Sequence, residues 1–115
     1  MDIIVNNKKL RKILEDKSKI RKKYGTEMAD KIMQRIDDMK CAENLEILMK
    51  LPGNHHPLTG DRKGQFACNL VQPYRLIYKP GNDPLPINDD GMLIYSDITI
   101  IEILEIVNYH QGVQK

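Results

Sequence analysis

The sequence predicts an α+β domain, in which a short N-terminal strand and a two-helix hairpin pack on a small antiparallel-rich sheet. Three observations predict it. Between Lys8 and Met39, apolar residues recur at helical steps among charged ones. Between Gln65 and Lys79 they alternate instead, the pattern of half-buried strands. Near the C-terminus, Ile98–Tyr109 reads ITIIEILEIVNY, dense in β-branched residues that favour a strand.

Composition sets the outer bounds. At 115 residues the chain forms one domain, 1–115, and is long enough to bury a core without staples. Its 41% hydrophobic and 30% charged content fits a soluble globule. No apolar run approaches the length of a membrane span, and MDIIVNNKK has no signal-peptide apolar segment, so a cytoplasmic location is expected. Cys41 and Cys68 stand far apart with no CxxC pair, which reads as free thiols. The net charge of +2 is unevenly spread: residues 1–23 carry nine Lys or Arg against three acids. Such a basic arm suits phosphates, and equally suits a solvated helix face.

The elements follow in order. Asp2–Val5 is short and β-branched, fit for an edge strand. Asn6 or Asn7 caps the following helix, whose apolar positions are Leu10, Ile13, Leu14, Ile20 and Tyr24. One helix is expected here, ended by Gly25. Thr26 is the expected cap of the second helix, with Met28, Ala29, Ile32, Met33, Ile36 and Met39 inward and Arg35 among the outer charges. The methionines read as core packing. Leu45–Leu51 extends that helix or forms a separate turn before Pro52. Residues 79–91, KPGNDPLPINDDG, have turn chemistry throughout and read as a long loop. Met92–Tyr95 is a short extended candidate.

The chain is organised around Gly53–Lys79. A polar loop carries His55, His56, Arg62 and Lys63. Two alternating segments follow, Gln65–Val71 and Tyr74–Lys79, joined at Gln72-Pro73 as a hairpin. Phe66, Cys68 and Leu70 share one face of the first. Tyr74, Leu76 and Tyr78 share one face of the second, and Arg75, Ile77 and Lys79 the other. Cations and imidazoles near one sheet face suit an anionic substrate. On a terminal strand, Asn108 and His110 point to one face and Tyr109 to the other.

The run LPGNHHPLTGDRKGQFACNLVQPYRLIYK, followed by a terminal strand ending NYH, resembles the HigB branch of the RelE-like toxins. These are the toxic halves of bacterial type II toxin–antitoxin pairs. The order of elements is similar too. The resemblance implies a ribosome-dependent, metal-independent mRNA endoribonuclease that inhibits translation and needs no cofactor. It implies as partners a cognate HigA-like antitoxin, the ribosome and mRNA, and a higher-order complex on operator DNA through the antitoxin. It places a catalytic His at His110, directly after Tyr109, and a phosphate-stabilising Arg at Arg75. A loop His, His55 or His56, is a further imidazole candidate. Arg62, Lys63 and Lys79 are candidates for the RNA backbone. Asn108 stands where the family commonly keeps an Asp.

The chemistry asks for these residue types. Cleaving RNA without metal uses the neighbouring 2′-OH as nucleophile. A base must take its proton, cations must meet charge building on phosphate, and an acid must serve the leaving 5′-oxygen. Imidazole titrates near neutral pH, and the planar guanidinium fork suits phosphate oxygens. A metal site of His55, His56 and His110 ranks low, because adjacent loop histidines seldom converge on one ion. The competing reading is a non-catalytic RNA- or protein-binding module on the same scaffold, acting through its basic N-terminal helix.

Overall fold

The computed structural model describes residues 1–109. His110 lies outside the described residues. Among the described residues, five strands form one sheet: β1 (Asp2–Ile4), β2 (His56–Pro57), β3 (Phe66–Asn69), β4 (Tyr74–Pro80) and β5 (Ile100–Asn108). Their spatial order is β1-β5-β4-β3-β2. β1 pairs with β5 in parallel, and the other three pairs are antiparallel. The helices α1 (Lys8–Leu14), α2 (Lys17–Tyr24), α3 (Thr26–Cys41) and α4 (Leu45–Leu48) cover one face of the sheet.

The first predicted helix is in fact two. Asn7 caps α1 by accepting from Leu10 N. Asp16 then accepts from the backbone N–H and hydroxyl of Ser18, starting a new helix at Lys17. A short carboxylate that satisfies a free helix-end donor is a stronger local signal than uninterrupted apolar spacing. α2 and α3 make the expected hairpin at Gly25, whose φ of +88° suits a residue without Cβ. Gly25, and not Thr26, occupies the cap position of α3, with no side-chain cap bond. Asn44 caps α4 as a separate turn.

The core forms where α2, α3 and α4 meet the sheet. Ile20, Ile32, Met39, Leu45, Leu48, Phe66, Leu76, Tyr78, Ile101 and Ile103 are all fully buried there. Burying each large apolar side chain contributes roughly 1.5–3 kcal/mol. Phe66 stacks on Tyr78, with ring centroids 5.7 Å apart. The terminal segment is a strand, as its β-branched content predicts.

Two features of the sheet were not legible. His56–Pro57 forms an edge strand, paired His56↔Ala67 and Pro57↔Phe66. The β4–β5 register also shifts. Ile77 faces Glu105, whereas Tyr78 faces Ile103, leaving Leu104 as the extra residue of a bulge. Glu102 and Glu105, three apart, would lie on opposite faces of a regular strand. The bulge brings both to the face away from the helices.

Candidate active site

Register assigns side chains to faces, because directly paired residues point the same way. One row across the sheet is His56, Ala67, Ile77 and Glu105; the next is Asn69, Arg75 and Val107. Lys79 pairs with Glu102 on the same side. This open face therefore gathers His56, Arg75, Lys79, Glu102 and Glu105, and the 3₁₀ turn Gly60–Arg62 brings Arg62 to it.

The cations here are in different states. Arg62 Nη2 donates to Glu105 Oε2 at 2.8 Å, and Nη1 donates to Gln65 Oε1 at 2.8 Å. Lys79 Nζ lies 3.9 Å from Glu102 Oε1. Arg75 has no carboxylate partner among the described residues. Its guanidinium carbon sits 4.4 Å from the centroid of the Tyr109 ring. Tyr109 is fixed at the end of β5 by its N–H, which donates to Pro73 O at 3.1 Å. Stacking on an aromatic face orients a guanidinium without neutralising it. Lys63 is exposed on the neighbouring loop.

The structure separates the two adjacent histidines. His55 is buried on the helix side, 7% exposed, with Nδ1 2.8 Å from the Tyr78 hydroxyl. Burial, with Arg35 and His56 nearby, lowers its pKa to about 4. Burial also pushes the Tyr78 phenol above its ordinary range. His55 is thus a neutral core imidazole, not a residue of an exposed loop. His56 is half-buried on the open face. Its Nδ1 donates to Asn54 O at 2.7 Å, which in the neutral ring leaves Nε2 as the unprotonated nitrogen. Asn108 pairs with Tyr74, on the helix-side face, so it does not share Arg75's side of the sheet.

Sequence reasoning missed Arg35, placing it among solvent charges. It is 7% exposed and reaches across the core edge, Nε donating to Asn69 O at 2.7 Å. Gly53, at φ +116°, makes room: a Cβ there would stand 2.7 Å from Arg35 Nε. The sequence signal was Gly53 itself, read only as loop. Glu105 was missed because the bulge hides its face.

The loop after β4 packs at the far end of that strand from Arg75. With the 57–65 loop it borders a cleft of about 1090 Å³, lined in part by Leu58, Lys63, Leu85, Ile87, Asp90 and Met92. No hydrogen bond or ion pair joins Asp89 or Asp90 to Arg75 among the described residues. No group of His, Cys, Asp and Glu suited to a metal ion occurs among the described residues, and no helix is long and apolar enough to cross a membrane.

No protein-family model matches the sequence, and no curated protein does. Among solved structures the chain is similar to the YoeB/ParE toxin from Agrobacterium tumefaciens, with a TM-score of 0.58. The two are 15% identical, and the match covers 92% of this chain and 96% of that one. The shared feature is the fold. The neighbour is a YoeB/ParE toxin, so the likeness does not single out the HigB branch.

Proposed function

We propose that this chain is the toxin of a type II toxin–antitoxin pair and that the open sheet face is a metal-independent RNA-cleavage site. One observation carries the reading: Arg75 is held by Tyr109 and has no carboxylate partner among the described residues, while Arg62 and Lys79 on the same face are both paired. An unneutralised guanidinium on a sheet face is set to receive an anion. The fold shared with a YoeB/ParE toxin supports the toxin assignment.

In this reading His56 Nε2 takes the 2′-OH proton. The 2′-oxygen attacks phosphorus, and Arg75 meets the charge that develops on the phosphate oxygens. The 5′-oxygen leaves with a proton from His110, the catalytic His that the HigB resemblance implies, here cast as the acid. The products are a 2′,3′-cyclic phosphate and a 5′-OH. Arg62, Lys63 and Lys79 hold the flanking backbone. Ribosome dependence, a HigA-like antitoxin and its operator complex belong to the same proposal. So does Asn108 as a support for Tyr109 from the adjacent chain position, and so does a cytoplasmic site of action.

A second reading has its own observation. α1 and α2 carry nine Lys or Arg, largely exposed, and among the described residues one ion pair, Lys17–Asp30, engages them. A binding module acting through that surface would bind RNA or an acidic protein with strong salt dependence. The test is cleavage of mRNA by purified protein, with and without ribosomes, comparing the parent with Arg75→Ala. Loss of cleavage in a folded variant supports the nuclease. Salt-sensitive binding unaffected by Arg75→Ala, without cleavage, supports the binding module.

A further inference from the structure

We infer that Asn69 is a positioning residue for Arg75, supplying from the neighbouring strand, through one bridging water, the hydrogen bond that fixes the guanidinium plane. Asn69 and Arg75 are direct cross-strand partners. The backbone of Asn69 is turned away from β4: its N–H donates to Gly53 O at 2.7 Å, and its C=O accepts from Arg35 Nε at 2.7 Å. The pair is therefore a non-hydrogen-bonded one, the kind in which facing side chains come closest.

This cross-strand pair carries two orphaned atoms. Arg75 Nε is a buried donor and Asn69 Oδ1 a buried acceptor, and neither has a partner among the described residues. Buried polar groups are nearly always satisfied, and no direct bond joins these two, so complementary orphans on facing residues mark a bond bridged by one water. Nε is also the right atom to restrain. A bond there locks rotation of the guanidinium and leaves the two Nη groups to face phosphate in a fork. Tyr109 fixes the plane from its face, and Asn69 from its inner edge.

Asn69 itself is held rigidly. Arg35, from α3 on the opposite side of the sheet, grips its carbonyl, and Gly53 admits Arg35 only because it lacks a side chain. A buried arginine of the core thus supports, through one asparagine, the free arginine of the open face. An Asn amide accepts from the bridging water without adding charge, whereas a carboxylate at this position would neutralise Arg75.

The catalytic half of this inference rests on the proposed nuclease reading; the positioning half does not. The first readout is hydrogen exchange of the Arg75 side-chain Nε–H, followed by NMR in the parent, Asn69→Ala and Asn69→Asp. The inference expects exchange faster by about tenfold or more in Asn69→Ala, the order of losing one hydrogen bond from a charged donor. It expects protection retained in Asn69→Asp. Equal exchange in the parent and Asn69→Ala overturns it, whatever the protein cleaves. The second readout is RNA cleavage. Asn69→Ala is expected to lose about ten- to a hundredfold in kcat at nearly unchanged KM, as misplacement of a catalytic group does. Asn69→Asp, though it keeps Arg75 Nε protected, is expected to raise KM. Full kcat in a folded Asn69→Ala overturns the catalytic half. A parent that cleaves nothing instead overturns the nuclease reading, and the exchange experiment still decides the positioning of Arg75.

Discussion

The two faces of this sheet use the same residue types to opposite ends. On the helix side, a histidine and an arginine are buried: His55 is neutral against Tyr78, and Arg35 is spent on a backbone carbonyl. On the open side, His56 is anchored through Nδ1 to the Asn54 carbonyl, and Arg75 is stacked on Tyr109 with no carboxylate partner among the described residues. Adjacent residues in sequence, His55 and His56, fall on opposite sides because a strand reverses side-chain direction at each step. Residue type alone therefore says little about role here. Which face a side chain joins decides whether its charge is suppressed or kept.

That contrast can be broken at several points. The largest expected effect is on the open face. Arg75→Ala should lower cleavage by about two to three orders of magnitude, the usual result of removing a donor to developing charge. Its thermal midpoint should stay close to the parent's, as seen by calorimetry, because Arg75 carries no core packing.

The helix-side histidine should govern acid stability instead. His55 has a folded-state pKa of about 4 against an ordinary 6.5. The unfolded chain binds the proton first, so the contribution is complete above pH 6.5 and is lost as pH falls toward 4. The shift corresponds to about 3 kcal/mol at most. Urea titrations between pH 4 and 7 should show the decline, and His55→Phe should flatten it. A flattened profile in His56→Phe, with the decline kept in His55→Phe, would reverse the assignment of the two histidines.

Gly53→Ala should destabilise the fold by about 1–3 kcal/mol, from a strained positive φ and a clash with Arg35. Arg35→Ala in the same background should relieve part of that cost, a non-additivity that a double-mutant cycle would measure. The smallest effect belongs to the Arg62–Glu105 pair, which is partly exposed. Arg62→Gln should change stability by less than about 1 kcal/mol. It should also lower the salt dependence of RNA binding by about one unit of slope.

The sequence carried the fold class well because periodicity is a local property. Helical steps in α3 and alternation in β3 and β4 are each written within a few residues. The α1–α2 break was also local, in the Asp16–Ser18 turn, but apolar spacing across it masked the cap. What was not legible depended on distant partners. A three-residue spacing of glutamates looks helical until the bulge at Leu104 puts both on one sheet face. His55 and His56 were equivalent until β2 paired with β3. Arg35 fell on a polar stretch of α3, and only the approach of Gly53 and Asn69 turned it inward. Arg75 and Lys79 were placed on their shared face by alternation alone. The stacking of Arg75 on Tyr109 required β5 to lie beside β4.

The measurement that tests the central claim most directly is mRNA cleavage by purified protein, assayed with and without ribosomes for the parent and Arg75→Ala. The account predicts cleavage by the parent in the presence of ribosomes, ending in 2′,3′-cyclic phosphates, and its loss in a folded Arg75→Ala. Undiminished cleavage by Arg75→Ala, or none by a folded parent in either condition, would contradict it.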